Sequence, residues 1–492
     1  MTNTVGASGV NSPPRSPSER PVDTRRDFTM RSVFAVAFAF ISPIIALYAI
    51  FNLGILTAGP SFWWAFPVVL VGQLLVALVF GELSSRWPEE GGVYAWTRRL
   101  VGDRLAWATG WAYSWTLICL NAAAAFAGSS FAVELLGLAD AGMGVRLAVA
   151  AAFIVLATVV NSLNRRWLKV FITVSIICEV VGSLYVGTVL LMFHRVNDWS
   201  SLMSGFADGG TAFVLGPFIA AVALAGWALI GFESAADLAA EVRKPERAVP
   251  IAQISSLVLV ALTVMYACAA LILAIPDLGA ATAGQVDDVI MTTIADGLGS
   301  AVVAPMILVV CIGFLAGIAA VSAALSRAVH AMAARDSLPA SNWLTHRSVR
   351  DEQPRNALVV TSIITVLLLL LSVLVGFYDV MIAMSTGGFY VAFLIPVAAM
   401  LYARRRQGWD AGVFTLRRWS LPINIAAAVW LVFQVFNIAW PRPIGLPWYV
   451  EWGCVLMFAI VGALGVVVYR GVTRRQTTPM SSSDVFAVEH KE

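Results

Sequence analysis

The chain has 492 residues, of which 59% are hydrophobic and only 12% charged, with a formal net charge of +3. Soluble domains carry about 25% charged residues, so half that share excludes an ordinary globular core. The apolar residues fall in blocks of about twenty, the length at which a helix crosses a hydrocarbon core. The expected class is therefore an all-α polytopic membrane protein, with the lipid bilayer as its surroundings and no nucleic acid partner.

Residues 1–28 are rich in Ser, Pro and Arg and poor in apolar anchors, the composition of a disordered tail. The first apolar block begins near Val33, after a polar stretch too long for the n-region of a signal peptide. From there the pattern predicts spans near 32–56, 62–83, 105–135, 145–163, 168–193, 212–240, 249–275, 300–326, 357–376, 380–402, 421–440 and 447–469. Residues 471–492 form a second polar tail. With both termini placed in the cytoplasm, 29 of the 32 Lys and Arg fall on that side, leaving Arg146, Arg195 and Arg442 opposite. A missed span would invert every later loop, so this bias supports twelve transmembrane helices and that orientation.

Two spans carry interruptions. The first holds Ser42-Pro43 near its centre, and proline removes a helical hydrogen bond and frees carbonyls. The sixth holds Gly226-Trp227-Ala228-Leu229-Ile230-Gly231-Phe232-Glu233-Ser234, two glycines five apart followed by a carboxylate and a hydroxyl. Glycine loosens a helix interior, and an ionisable group at membrane depth must face protein or a watery cavity. Broken helices five spans apart suit two five-helix repeats of inverted orientation with a small-molecule site between them. A tolerated proline kink and a glycine pair for close helix packing are the plain alternatives.

Three loops are more specific than solvated connectors. They are Arg86-Trp87-Pro88-Glu89-Glu90-Gly91-Gly92-Val93-Tyr94, Glu241-Val242-Arg243-Lys244-Pro245-Glu246-Arg247-Ala248-Val249-Pro250, and the stretch from Ser326-Arg327 to Ala334-Arg335-Asp336-Ser337-Leu338-Pro339. With the sixth-span block, Met384-Ser385-Thr386-Gly387-Gly388-Phe389-Tyr390, and Leu421-Pro422-Ile423-Asn424 with Trp430, they resemble the amino acid–polyamine–organocation superfamily of permeases, in its amino acid/choline transporter-like branch. The resemblance covers about residues 28 to 470.

It implies a LeuT-like five-plus-five inverted repeat, with core repeats near 32–193 and 212–402 and two additional helices near 421–469. It also implies alternating access around the two breaks. Substrate-binding positions carried over are Ser42, Pro43, Ile44, Ile45, Ala46 and Leu47, with Gly226, Trp227, Gly231, Phe232 and Glu233. In relatives a substrate carboxylate meets free N–H groups at the first break, and its ammonium meets carbonyls of both. Trp227 falls where relatives of the arginine-exchanger type place an aromatic gate. This chain departs from the family in having Ile44-Ile45-Ala46 where one or two glycines are usual, which crowds the backbone and puts the carboxylate contact in doubt.

Glu179 lies near the centre of the fifth span, about where proton-coupled relatives and several exchangers have a lysine. A lone carboxylate at that depth must be protonated or paired, so Glu179, with Trp227 and Glu233, is a candidate for coupling or gating. Sodium coupling would need eighth-span hydroxyls such as Ser322 and Ser326 to face first-span carbonyls.

The expectation is a multi-pass secondary transporter of the cytoplasmic membrane, moving an amino acid or related amine by proton-coupled symport or exchange, with the proton as candidate coupling ion. A polyamine, choline or ethanolamine-type carrier is the alternative within transport. A membrane enzyme would concentrate His, Asp or Glu at one face, and His194, His330, His346 and His490 show no such spacing. The single cysteines 119, 178, 268, 311 and 454 suggest neither a metal nor a redox site, and no cofactor is expected. A transporter-like sensor would need a signalling tail, and the stretch after Arg475 is short.

Overall fold

The computed structural model describes residues 28–138, 140, 142–163, 165–347, 353–374, 378–406, 409–441 and 448–477. Among these, twelve helices are long and apolar enough to cross a membrane. In order, the spans are Met30–Tyr48, Phe51–Arg86, Asp103–Leu135, Met143–Ser162, Val170–Phe193, Trp199–Ala228, Pro245–Ala274, Ser300–Ala333, Arg355–Ser372, Val380–Arg406, Arg417–Ala439 and Gly453–Thr473. The number is the one that loop charge predicts. Helix is the only open-ended element that satisfies its own amides in hydrocarbon, which is why the apolar blocks fold this way.

Of the two expected tails, only Phe28 and residues 471–477 are described; the rest, with Arg442 and His490, lies outside the described residues. Phe28 is fully packed: its N–H donates to the Glu241 carbonyl at 3.0 Å and its own carbonyl accepts from Arg243 N–H at 2.9 Å. This ties the entry of the first span to the segment after the sixth. The last helix continues to Thr477.

The largest boundary differences from the sequence reading lie in spans one, two and six. The first span stops at Tyr48, and Phe51–Ala58 joins the second span through a tight turn at Gly59–Trp64. The sixth starts earlier, at Trp199, and its long helix stops at Ala228, inside the expected span. Its leading part is irregular, with a non-helical step at Gly210 and a π turn over Val214–Phe218 that accommodates Pro217. Those irregularities blurred the apolar period on which the sequence boundary rested.

The first span packs against the fifth, seventh and eighth, while the third packs against the eighth and tenth and the second against the seventh. Spans eleven and twelve add to the second, third and tenth. Glu82 at the end of the second span accepts from Arg404 at 2.7 Å, from Leu416 N–H at 2.9 Å and from the Ser420 hydroxyl, tying spans two, ten and eleven together.

Candidate functional site: two facing helix breaks

The first span is two helices, Met30–Ile41 and Pro43–Tyr48, joined at Ser42, whose backbone has the left-handed φ of 48°. A break there should leave amides free at the start of the second half. They are all taken. Pro43 has no N–H; Ile44 N–H donates to Glu179 Oε2 at 2.9 Å, Ile45 N–H to Ser42 Oγ at 3.1 Å, and Ala46 N–H to the Ser42 carbonyl at 2.8 Å. Ser42 Oγ in turn donates to Glu179 Oε1 at 2.5 Å. Both oxygens of this fully buried fifth-span carboxylate are therefore spent on the first-span break. The same accounting strips the first half of its partners. Without donors from Pro43, Ile44 and Ile45, the Ala39, Phe40 and Ile41 carbonyls lose their helical bonds.

The bulk of Ile44 and Ile45 is absorbed by glycines on facing helices. A Cβ on Gly313 would sit 3.4 Å from Ile44 Cβ, and one on Gly182 3.2 Å from Ile44 Cδ1. A Cβ on Gly317 would meet Ile45 Cδ1 at 2.2 Å. The small residues expected in the break itself stand instead on spans five and eight, and the branched side chains point into them. Gly182 also lies in the π turn Val181–Tyr185, so the fifth span is irregular just past Glu179.

The sixth-span helix ends at Ala228, and the chain resumes helix only at Ser234–Asp237. Gly231 sits at φ 105°, and a Cβ there would lie 2.1 Å from the Phe40 ring. Glycine is required on both counts. That contact also brings the two breaks together: Phe40 belongs to the open carbonyl end of the first span, and Gly231 to the unwound stretch of the sixth. Gly231 N–H, which would close on Trp227 in a continuous helix, goes to Glu233 Oε2 at 3.1 Å. Trp227 is 5% exposed, and its indole N–H and the Ser234 hydroxyl have no hydrogen-bond partner among the described residues. Two polar groups at the break are thus unspent.

Glu233 also accepts from Tyr113 OH through Oε1 at 3.0 Å, and the same phenol lies 2.9 Å from Asp237 Oδ2. A phenol has one proton, so it donates to only one carboxylate; the second contact needs a carboxyl proton pointing at the phenol oxygen. One phenol thus bridges two buried acids four residues apart.

A family model described as "Amino acid permease" matches residues 31–466. The chain belongs to the amino acid permease family. The permease is 24% identical to an amino-acid permease BAT1 homolog of Oryza sativa, over 86% of this chain and 86% of that one. It is 21% identical to the polyamine transporter TPO5 of Saccharomyces cerevisiae over 84% of this chain and 70% of that one. To the choline transporter of the same yeast it is 24% identical, over 85% and 77%. These relatives are named as permeases and transporters, not enzymes, and this chain is a transporter.

Among the expected site residues of the permease, Ser42, Pro43, Ile44, Ile45, Ala46 and Leu47 gather with Glu179 at the first break, and Trp227, Gly231 and Glu233 at the second. Gly226 backs onto a polar cluster: Tyr390 OH is 3.5 Å from its carbonyl and accepts from Gln73 at 2.9 Å and Gln434 at 3.2 Å. Phe232 packs its ring among Phe80 and Phe393. Ser322 and Ser326 both donate within their own helix, to Ile318 and Ala323 carbonyls. Tyr113 and Asp237 were not picked out by the sequence. The signal available was the four-residue spacing of Glu233 and Asp237, which shares one helix face; nothing marked Tyr113.

Beyond the breaks, the three recognised loops close on one another. Glu241 takes Arg327 Nε at 2.8 Å, both side chains buried. Glu90 accepts from Arg347 at 2.6 Å and lies 3.5 Å from His330 Nδ1, while Arg347 Nε donates to His330 Nε2 at 3.1 Å. Burial pushes the Glu90 carboxyl up, but the neighbouring His330 ring and the charges of Arg347 and Arg327 outweigh it and hold it below the ordinary range.

Proposed function

We propose that this permease carries an amino acid or related amine across the cytoplasmic membrane by alternating access about the paired breaks, with both termini cytoplasmic. The contact of Phe40 with Gly231 carries the reading, because it sets two interrupted helices side by side where the helical ladder of each is broken. The unspent indole N–H of Trp227 supports its role over the substrate. Proton-coupled symport or exchange is the mode favoured by the Glu233–Tyr113–Asp237 trio, since two buried acids bridged by one phenol beside the sixth-span break change partners once that break moves. The names of the yeast and rice relatives support an amine-bearing cargo.

Counterflow into proteoliposomes holding the purified protein tests the reading. Labelled amino acids or amines should accumulate above empty liposomes, and an imposed pH gradient should drive that accumulation if the proton is coupled. Acceleration by internal substrate without any response to the gradient would assign pure exchange. Vesicles with folded protein that behave as empty ones would end the transport reading.

A further inference from the structure

We infer that the cargo is an organic cation without an α-carboxylate, and that Glu179 is the resident carboxylate standing where a substrate's own would dock; this rests on the transport reading above. The first observation is occupancy. At the start of Pro43–Tyr48 every available amide has an acceptor within the chain, and the Ile44 N–H is bound by Glu179. An incoming carboxylate finds no free donor there and meets a carboxylate instead.

The second observation is the sign of what remains. The Ala39, Phe40 and Ile41 carbonyls end a twelve-residue helix whose dipole places negative charge there. The Trp227 carbonyl also loses its helical donor, because Gly231 N–H turns to Glu233, and Gly231 lies against the Phe40 ring of the first break. Among the described residues no Lys, Arg or His is paired with Glu179, although it is fully buried. A buried carboxylate with two donors and no cation of its own, near open carbonyls, is a group that an ammonium or guanidinium cargo can pair when it ionises and that offers an anion nothing. The bulk of Ile44 and Ile45 is not the obstacle, since Gly182, Gly313 and Gly317 receive it.

The test is a counterflow panel of the protein amino acids against their decarboxylated amines, for example agmatine with arginine, putrescine with ornithine and ethanolamine with serine. In wild-type proteoliposomes the amine of the preferred pair should compete at least about tenfold better than its amino acid. Equal or better competition by the amino acid overturns this inference and leaves transport standing; absence of flux for the whole panel overturns transport itself. Glu179→Gln, checked for monodispersity, keeps the shape and removes the charge, and should weaken amine competition at least about tenfold. An unchanged amine KM in that variant overturns the role of Glu179.

Discussion

Ser42 Oγ lies 2.5 Å from Glu179 Oε1 while accepting Ile45 N–H at 3.1 Å, so one hydroxyl joins a fifth-span carboxylate to the restart of the first-span helix. Removing it should cost twice over. Ser42→Ala loses a helix cap, about 1 kcal/mol, and leaves Glu179 with a single donor. The expected outcome is a lower thermal midpoint in detergent together with weaker substrate competition. A variant with wild-type stability and KM would show that the hydroxyl is incidental.

Gly231 combines a φ of 105° with a Cβ position 2.1 Å from the Phe40 ring. Gly231→Ala must move the ring or the break, at about 1–3 kcal/mol for the overpacking alone. Transport should fall at least about tenfold, and Phe40→Leu in the same chain should restore part of it by vacating the contact. Failure of that rescue would mean that backbone strain, not the ring, sets the cost.

Tyr113→Phe deletes the hydroxyl between Glu233 and Asp237 and nothing else. The two acids then face each other without a bridge. The expected result is a displaced pH profile of uptake, with substrate binding at the plateau little changed. An unaltered profile would remove the trio from coupling.

Arg327 and Glu241 form a buried pair linking the eighth span to the segment after the sixth. Arg327→Met alone should lower the unfolding midpoint, because it removes the guanidinium that donates to the buried Glu241 carboxylate at 2.8 Å. The double variant with Glu241→Leu should recover most of that loss. Unfolding midpoints of the single and double variants give the comparison directly.

The folded Glu90 carboxyl is held below its unfolded value by His330, Arg347 and Arg327. A depressed acid contributes stability that is present above the ordinary carboxylate range and is lost as pH falls through the depressed value. Acidification from pH 6 downwards should therefore lower the unfolding midpoint of the wild type more than that of Glu90→Gln. Equal acid limbs in the two proteins would assign the acid sensitivity elsewhere.

Sequence alone determined the class, the number of spans and the location of both breaks. Those follow from quantities written along the chain: blocks of twenty apolar residues, the one-sided placement of Lys and Arg, a proline in span one and two glycines in span six. Glu179 also stood out, because a charge inside an apolar block is visible without coordinates. What it binds was not visible. That Glu179 reaches Ser42 and Ile44, 137 and 135 residues away, and that Gly182, Gly313 and Gly317 make room for Ile44 and Ile45, are facts of how spans one, five and eight pack. Tyr113 is ordinary in its own helix and becomes notable only beside Glu233 and Asp237. Hydrophobic period and charge act along one segment and are legible there, whereas the partner of a buried polar group is chosen by neighbours remote in sequence, and only the tertiary structure decides it.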